Sequence, residues 1–204
     1  MNTTPKTKIA VFVSGGGTNL QAILDAQKNG VIADGEVVLV VSSSPTAYAL
    51  ERAKNASVKA VVVPRKGHTR EEFEQGLLAV LAEHDIELII LAGFMCILSP
   101  DFTNRYPERI INVHPSLIPS FCGEGFYGLK VHEAALAYGV KVTGATVHFV
   151  NEIPDGGKII LQRAVDILED DTPEALQKRV MEQAEWHLLP AAAQLVSAQI
   201  RERK

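Results

Sequence analysis

Short apolar runs with no polar alternation recur along the chain, at residues 9–13, 37–41, 58–63, 88–91 and 110–113. Runs of this kind are typical of strands that are buried on both faces of a sheet. Strands that alternate with helices predict a parallel sheet with right-handed crossovers. Amphipathic stretches between the first four runs predict helices at about residues 19–28, 47–55 and 70–83.

The pattern changes after residue 114. Residues 115–128 are too polar and glycine-rich for regular structure, and a helix is predicted at about residues 129–138. Two strand-like runs, at 142–150 and 159–167, flank a short turn-forming segment, which predicts an antiparallel hairpin. The fold class is therefore α/β, an open, mostly parallel sheet with flanking helices and a late antiparallel hairpin.

Residues 172–203 have helical spacing and are predicted to close the chain as a helix, with Thr172 as N-cap and Glu174 in the first turn. No linker, repeat or low-complexity tract divides the 204 residues, of which 47% are hydrophobic. That length and composition suffice for one buried core. We therefore predict a single domain over residues 1–204, in which residues 1–8 form a flexible N-terminal extension.

Composition and charge exclude several classes of function. The formal net charge of −4 argues against a nucleic-acid partner, which needs a basic patch. Two cysteines, Cys96 and Cys122, are too few for a disulfide framework and are typical of reduced thiols. The sequence has no apolar signal-peptide core and no run long enough to span a membrane. We expect a cytoplasmic protein, monomeric or homodimeric, with small-molecule partners and neither a membrane nor a nucleic-acid partner.

The segment Ser14-Gly15-Gly16-Gly17-Thr18-Asn19 directly follows the first predicted strand and opens the first helix. Glycines let the backbone approach a ligand, and unpaired N–H groups at a helix N-terminus bind anions. A dinucleotide fingerprint needs a third glycine where Leu20 stands, and an ATP-binding loop needs a lysine that the segment lacks. The segment predicts a site for a single phosphate, with a plain strand–helix turn as the alternative.

Asn112 and His114 lie at the end of a buried strand, and open α/β sheets bind ligands at the carboxyl ends of their strands. Alternation along the strand directs both side chains to the same face. An amide donor beside an imidazole suits a carbonyl oxygen that gains negative charge during nucleophilic attack. A structural histidine at a strand end is the alternative.

Asp155 lies in the segment Pro154-Asp155-Gly156-Gly157, and Asp-Gly pairs are typical of ordinary turns. It acquires a catalytic role only if the hairpin tip folds over the sheet edge toward His114. A carboxylate there would raise the pKa of His114, because it favours the imidazolium form. No metal is expected, because the His-x-x-x-His pairing of zinc enzymes is absent among His114, His132, His148 and Asp155.

Taken together, these segments resemble the folate-dependent formyltransferase superfamily, and within it the glycinamide ribonucleotide formyltransferases. The resemblance covers nearly the whole chain after residue 8 and rests on residues 14–21, 91–95, 97–100, 111–117 and 144–157. It implies a formyltransferase-like fold and an enzyme of de novo purine biosynthesis. Such an enzyme transfers the formyl group of its co-substrate, 10-formyltetrahydrofolate, to the amine of glycinamide ribonucleotide without a metal.

The resemblance also implies roles for individual residues. In the catalytic trio, Asn112 and protonated His114 would stabilise the oxyanion, and Asp155 would support His114. The ribonucleotide would be bound by Gly17, Thr18, Asn19, Glu182 and Glu185. The folate would be bound by Arg70, Met95, Cys96, Ile97, Leu98, Asn112, Asn151, Glu152, Ile153, Pro154 and Asp155.

The chain departs from the family pattern in three places. Cys96 stands where several relatives have arginine, which implies one contact fewer to the glutamate tail of the folate. Pro154 stands where the family usually has an aliphatic residue, which would stiffen the turn. The stretch at residues 121–128 is longer than in some members.

Two other functions stay open at this point. A hydrolase would transfer the formyl group of the folate to water, but water needs no phosphate anchor. A non-catalytic module that binds a phosphate ligand would explain the glycine-rich segment, yet it leaves Asn112, His114 and Asp155 without a role.

Overall fold

The computed structural model describes residues 5–204, which form a seven-stranded sheet. The strands are β1 (Thr7–Val13), β2 (Gly35–Ser42), β3 (Lys59–Val62), β4 (Leu88–Leu91), β5 (Ile110–His114), β6 (Val142–Phe149) and β7 (Ile159–Asp166). Their order across the sheet is β3-β2-β1-β4-β5-β6-β7. The first five strands pair in parallel, whereas β6 is antiparallel to both β5 and β7. The predicted parallel sheet with a late antiparallel hairpin is confirmed.

The helices are α1 (Thr18–Lys28), α2 (Ala49–Asn55), α3 (Arg70–Glu83), α4 (Pro100–Thr103), α5 (Leu129–Tyr138), α6 (Pro173–Val180) and α7 (Trp186–Glu202). The sequence pattern predicts all of them except α4, which is a single turn and too short to show helical spacing. Ser99 caps this turn, because its hydroxyl accepts a hydrogen bond from the N–H of Phe102 at 3.2 Å.

The sheet separates two hydrophobic cores, and β1 contributes to both. Ile9, Val11 and Val13 pack into the core that includes residues of α1, α2, α6 and α7. Ala10 and Phe12 pack into the core on the other face, with residues of α3 and α4. All five side chains are fully buried. Burying a side chain as large as Phe12 contributes about 1.5–3 kcal/mol, so the unbroken apolar run reflects burial on both faces.

β3 corrects the expectation that every apolar run is buried on both faces. The strand pairs only with β2 and forms one edge of the sheet. Lys59, Ala60 and Val62 are exposed. Lys59, within the run, is the sequence feature that indicates an edge strand, because charged residues at a sheet edge prevent pairing with another chain.

The predicted closing helix is interrupted near its middle. A π-helical turn, Met181–Glu185, joins α6 to α7. Single π-helical turns are rare and occur frequently at functional sites. Thr172 caps α6 as predicted, with its hydroxyl accepting a 3.2 Å hydrogen bond from the N–H of Ala175.

The expected N-terminal extension over residues 1–8 is too long, because β1 already begins at Thr7. The Thr7 hydroxyl donates to the Ser197 carbonyl at 2.9 Å, and the Lys8 N–H donates to the Glu87 carboxylate at 3.0 Å. Residues 1–4 lie outside the described part of the chain. Among residues 5–204, none of the helices has the length and apolar character needed to cross a membrane.

Candidate active site

A cavity of about 860 Å³ lies at the carboxyl edge of the sheet and is lined by residues that follow or end β4 and β5. Its volume falls within the range of small-molecule sites. The sheet order places β2 and β4 on opposite sides of β1, and open α/β sheets bind ligands at such a switch point. Asn112 and His114, expected on one face of β5, both line this cavity.

The hairpin turn brings Asp155 into the same cavity. One carboxylate oxygen, Oδ2, lies 3.4 Å from Nδ1 of His114 and accepts a 2.9 Å hydrogen bond from the N–H of Gly123. The backbone of Asp155 has a φ of 55°, in the left-handed region that few non-glycine residues adopt. The turn is therefore bonded to a second loop, and its carboxylate is directed at the histidine.

His148 joins this cluster, although the sequence pattern assigns it no role. Its Nε2 lies 3.5 Å from Oδ1 of Asp155 and 3.3 Å from Nδ2 of Asn112. Its Nδ1 donates to the Phe149 carbonyl at 2.8 Å, so in the neutral ring Nε2 accepts from the Asn112 amide. The antiparallel register places His148 directly opposite Asn112. In the sequence, only the alternation along the predicted hairpin could have indicated that His148 lies beside Asn112.

Burial determines the charge of His114. The residue is 4% exposed, and burial lowers its pKa below the ordinary value, although Asp155 and the Phe121 carbonyl act in the opposite direction. Asp155 raises this pKa in the expected direction, but its effect is smaller than that of burial. Nε2 donates to the Phe121 carbonyl at 2.8 Å, so the neutral ring presents an unprotonated Nδ1 to Asp155.

Asp155 keeps its negative charge inside the cavity. Burial raises the pKa of this carboxyl group, but His148, His114 and the N–H of Gly123 together bring it below the ordinary value. A buried carboxylate is stable only when such partners are present. The pair therefore consists of a charged carboxylate beside a neutral imidazole whose Nδ1 faces it.

His132, on α5, also lines the cavity and is fully buried. Neither of its ring nitrogens has a hydrogen-bond partner within residues 5–204. Burial, with a smaller effect from His114, lowers its pKa to about 4. The ring is therefore neutral at physiological pH, with one donor and one acceptor unsatisfied.

The glycine loop, Gly15–Gly17, leads into α1 as the sequence predicts, with Gly17 at the N-cap and a φ of 72°. Asn19, in the first turn, lines the cavity and donates from Nδ2 to Oε2 of Glu185 at 2.7 Å. Glu185 is only 6% exposed, and burial raises its pKa, an effect that the Asn19 hydrogen bond opposes. Two of the expected ribonucleotide-binding residues are thus in direct contact.

The other expected ribonucleotide-binding residues lie outside the lining of the cavity. Glu182 pairs with Lys178 at 3.8 Å on the outer side of the helix. Gly17 and Thr18 do not line the cavity, although their neighbour Asn19 does. Of the two glutamates, Glu185 is the one that the π-helical turn directs toward α1.

The expected folate-binding segments, residues 95–98 and 151–155, all line the cavity. Met95, Ile97 and Ile153 are 60%, 64% and 58% exposed, which is unusual for apolar side chains that lie close together around one cavity. Arg70 is the exception, because it is exposed in the first turn of α3 and does not line the cavity.

Both cysteines are free. Burial raises the pKa of the Cys96 and Cys122 thiols, which makes them poor nucleophiles at neutral pH. Across residues 5–204, no three His, Cys, Asp or Glu side chains are grouped so that they could hold a metal ion.

Comparison with known proteins gives matches over most of the chain. A family model described as formyl transferase matches residues 7–192. The chain is 44% identical, over 96% of its length, to the trifunctional purine biosynthetic protein adenosine-3 of Gallus gallus, of which it spans 19%. It is 38% identical, over 86% of its length, to the chloroplastic phosphoribosylglycinamide formyltransferase of Arabidopsis thaliana, of which it spans 61%. It thus spans less than two thirds of these two relatives.

Other relatives have a length closer to that of this chain. The phosphoribosylglycinamide formyltransferase of Haemophilus influenzae is 41% identical over 90% of the chain, and 84% of that protein is covered. Glycinamide ribonucleotide transformylase 1 from Symbiobacterium toebii superposes with a TM-score of 0.88 at 41% identity, covering 95% of this chain and 89% of that one. Phosphoribosylglycinamide formyltransferase from Coxiella burnetii superposes with a TM-score of 0.86 at 37% identity, covering 95% and 88%.

Proposed function

Since the chain belongs to the formyl transferase family and, within it, to the phosphoribosylglycinamide formyltransferases, we propose that it transfers the formyl group of 10-formyltetrahydrofolate to the amine of glycinamide ribonucleotide. This reaction is a step of de novo purine biosynthesis. The observation that carries the proposal is the cluster of Asn112, His114, Asp155 and His148 in one cavity. The same cavity is lined by Asn19 and Glu185 and by the apolar side chains around Met95.

The two substrates would use different walls of the cavity. The phosphate of the ribonucleotide would bind the N–H groups of Gly17, Thr18 and Asn19, because the first N–H groups of a helix have no partner within it. Glu185 would accept a hydrogen bond from the ribose or the glycinamide part, with Glu182 next to it on the outer side. The folate would pack against residues 95–98 and 151–155, and Arg70 would contact its anionic tail from outside the cavity.

In the first chemical step the uncharged amine attacks the formyl carbon, a C–N bond forms, and the formyl oxygen gains negative charge. Asn112 donates one N–H to His148, which leaves its second N–H for this oxygen. The negative charge favours the imidazolium form of His114, so His114 would take up, through water, the proton that the attacking amine loses. The N–H of Asn112 and the positive charge of His114 would stabilise this oxygen, and removal of one such group typically lowers the rate by about 10²–10³-fold.

In the second step the bond between the formyl carbon and N10 of the folate breaks. N10 gains a proton and the former amine loses one, so the total number of protons is unchanged. His114 and Asp155 would relay this proton to N10 through water. The protein thus acts through positioning and oxyanion stabilisation, without a covalent intermediate.

A single assay tests the proposal: formyl transfer from 10-formyltetrahydrofolate is measured with and without glycinamide ribonucleotide. Folate turnover that depends on the ribonucleotide is the expected result. Turnover without it would indicate a hydrolase, and binding of the ribonucleotide without any turnover would indicate a binding module.

We further propose that the enzyme works in the cytoplasm, because both cysteines are free, and that it is a monomer or a homodimer. Static light scattering of the purified protein decides between these two states.

A further inference from the structure

The three carbonyl groups of the glycine loop are all held by donors outside the cavity. The Gly15 carbonyl accepts from the N–H of Ala49 at 3.1 Å, and the Gly17 carbonyl accepts from the N–H of Gln21 at 2.9 Å. The Gly16 carbonyl accepts from Nε of Arg52 at 2.8 Å. A carbonyl oxygen repels an anion, whereas successive N–H groups attract one, so fixing the carbonyls on the far side favours anion binding.

Arg52 supplies the one side-chain donor among these three bonds. Its Nη1 also donates to Oε1 of Gln21 at 3.1 Å, and its guanidinium lies 5.1 Å from the centre of the Tyr48 ring. The planar guanidinium therefore connects the loop, α1 and α2 through three contacts. A lysine ammonium has no fixed fork and cannot reproduce all of them.

The loop has little freedom to compensate for the loss of Arg52. A Cβ at Gly17 would lie 2.7 Å from Cβ of Ala49 and 3.4 Å from Cδ of Arg52, so α2 packs directly against the loop. Gly15 and Gly16 have no atom within 4 Å of such a Cβ. Close packing is thus shown at the end of the loop, whereas the carbonyl of the middle residue is held by the Arg52 hydrogen bond.

We propose that Arg52 is a positioning residue for a phosphate monoester, because it holds the Gly16 carbonyl away from the ligand and keeps the N–H groups of the loop directed at the phosphate. This inference rests on the proposed function and extends it to a residue of α2 that does not line the cavity. Arg52 acts through the loop backbone and does not itself take part in the transfer.

The test measures binding of ribose 5-phosphate by isothermal titration calorimetry, together with both KM values and kcat. Arg52→Met should weaken ribose 5-phosphate binding about tenfold, the effect expected when a charge-assisted hydrogen bond is lost. The KM for the ribonucleotide should rise by a similar factor, while kcat and the folate KM stay within about twofold. Lys54→Met, on the same helix, is the matched control, because Lys54 is 78% exposed and only weakly paired with Glu51 at 4.0 Å.

Arg52→Lys keeps the positive charge but loses the guanidinium geometry. It also keeps most of the side-chain packing, so it serves as the test if Arg52→Met unfolds. It should weaken binding about threefold, since one contact of the fork can be replaced by an ammonium group. Unchanged ribose 5-phosphate affinity in a folded Arg52 variant would overturn the inference, as would equal increases in both KM values. If the wild-type protein neither binds ribose 5-phosphate nor transfers the formyl group, the proposed function itself is wrong.

Discussion

At the scale of single residues, the candidate site depends on a balance between burial and charge. Asp155 keeps its charge because its polar neighbours outweigh the effect of burial on its pKa. His114 has the opposite balance, since burial lowers its pKa more than Asp155 and the Phe121 carbonyl raise it. A neutral imidazole beside a carboxylate can accept a proton when negative charge develops nearby.

Replacing His114 with alanine should remove most turnover and leave the fold intact. One oxyanion donor is lost, which typically reduces kcat by about 10²–10³-fold. Steady-state kinetics and a thermal melt of the variant measure both effects. His187→Ala, at an exposed histidine on α7, is the control and should retain full activity. Wild-type kcat in the folded His114 variant would show that the assigned role is wrong.

Asp155→Asn should lower the pKa of His114 further, because it removes the negative charge that favours the imidazolium. We expect kcat to fall by at least about tenfold at neutral pH and to recover in part as the pH is lowered. Protonation of the substrate amine limits this recovery on the acid side. The pH–rate profile and an NMR titration of the His114 ring protons measure the two effects. An unchanged His114 pKa with near-normal turnover would leave Asp155 as a turn residue.

At the scale of secondary-structure elements, the glycine loop is shaped by the helices on either side of it. Gly17 combines a φ of 72° with close contact to Ala49, so this position excludes a side chain for two independent reasons. Gly15 has a different environment, with open space where its Cβ would lie. The glycines of the loop are therefore not equivalent, although the sequence shows three identical residues.

Gly17→Val should raise the KM for the ribonucleotide by about tenfold or more and leave the folate KM nearly unchanged, because the loop can no longer hold the phosphate. The added side chain against Ala49 should also lower the unfolding free energy by about 1–3 kcal/mol. Gly15→Ala is the control for stability and should keep the wild-type melting temperature. Equal changes in both KM values would indicate that the loop has only a structural role.

At the scale of the whole molecule, the cavity lowers the free energy of unfolding. His132 is fully buried with two unpartnered ring nitrogens, and its pKa is lowered to about 4 from an ordinary value of 6.5. The unfolded chain takes up a proton at this residue between these two pH values, whereas the folded protein does not. Folding is therefore destabilised as the pH falls through this range.

As the pH falls from 6.5 to 4, the titration of His132 should lower the unfolding free energy by about 1–3 kcal/mol. The smaller figure in this range allows for screening by water in the cavity. His132→Gln should reduce the slope of stability against pH in this window, because the variant does not titrate there. Urea unfolding at several pH values measures the slope. His187→Gln is the matched control and should keep the wild-type slope. An unchanged slope in the His132 variant would show that the residue is charged or solvated in the folded protein.

The sequence by itself determined the strands, most of the helices, the hairpin and the position of the glycine loop. These features depend on local periodicity, turn residues and caps, which are encoded within a few neighbouring residues. Local periodicity also predicted that Asn112 and His114 lie at the ligand-binding edge of the sheet, because both belong to one buried run. The resemblance to formyltransferases added Asp155 and Glu185, which no local pattern distinguishes from an ordinary turn residue and an ordinary helical glutamate.

Only the tertiary structure decided which of these residues meet. Asn19 and Glu185 are 166 residues apart in the chain, and their hydrogen bond requires both the packing of α1 and the π-helical turn. The positions of His148 and His132 in the cavity, the exposure of β3 and the lowered pKa of His114 depend equally on packing. Burial and desolvation are properties of the assembled cavity, because they are set by atoms from many parts of the chain.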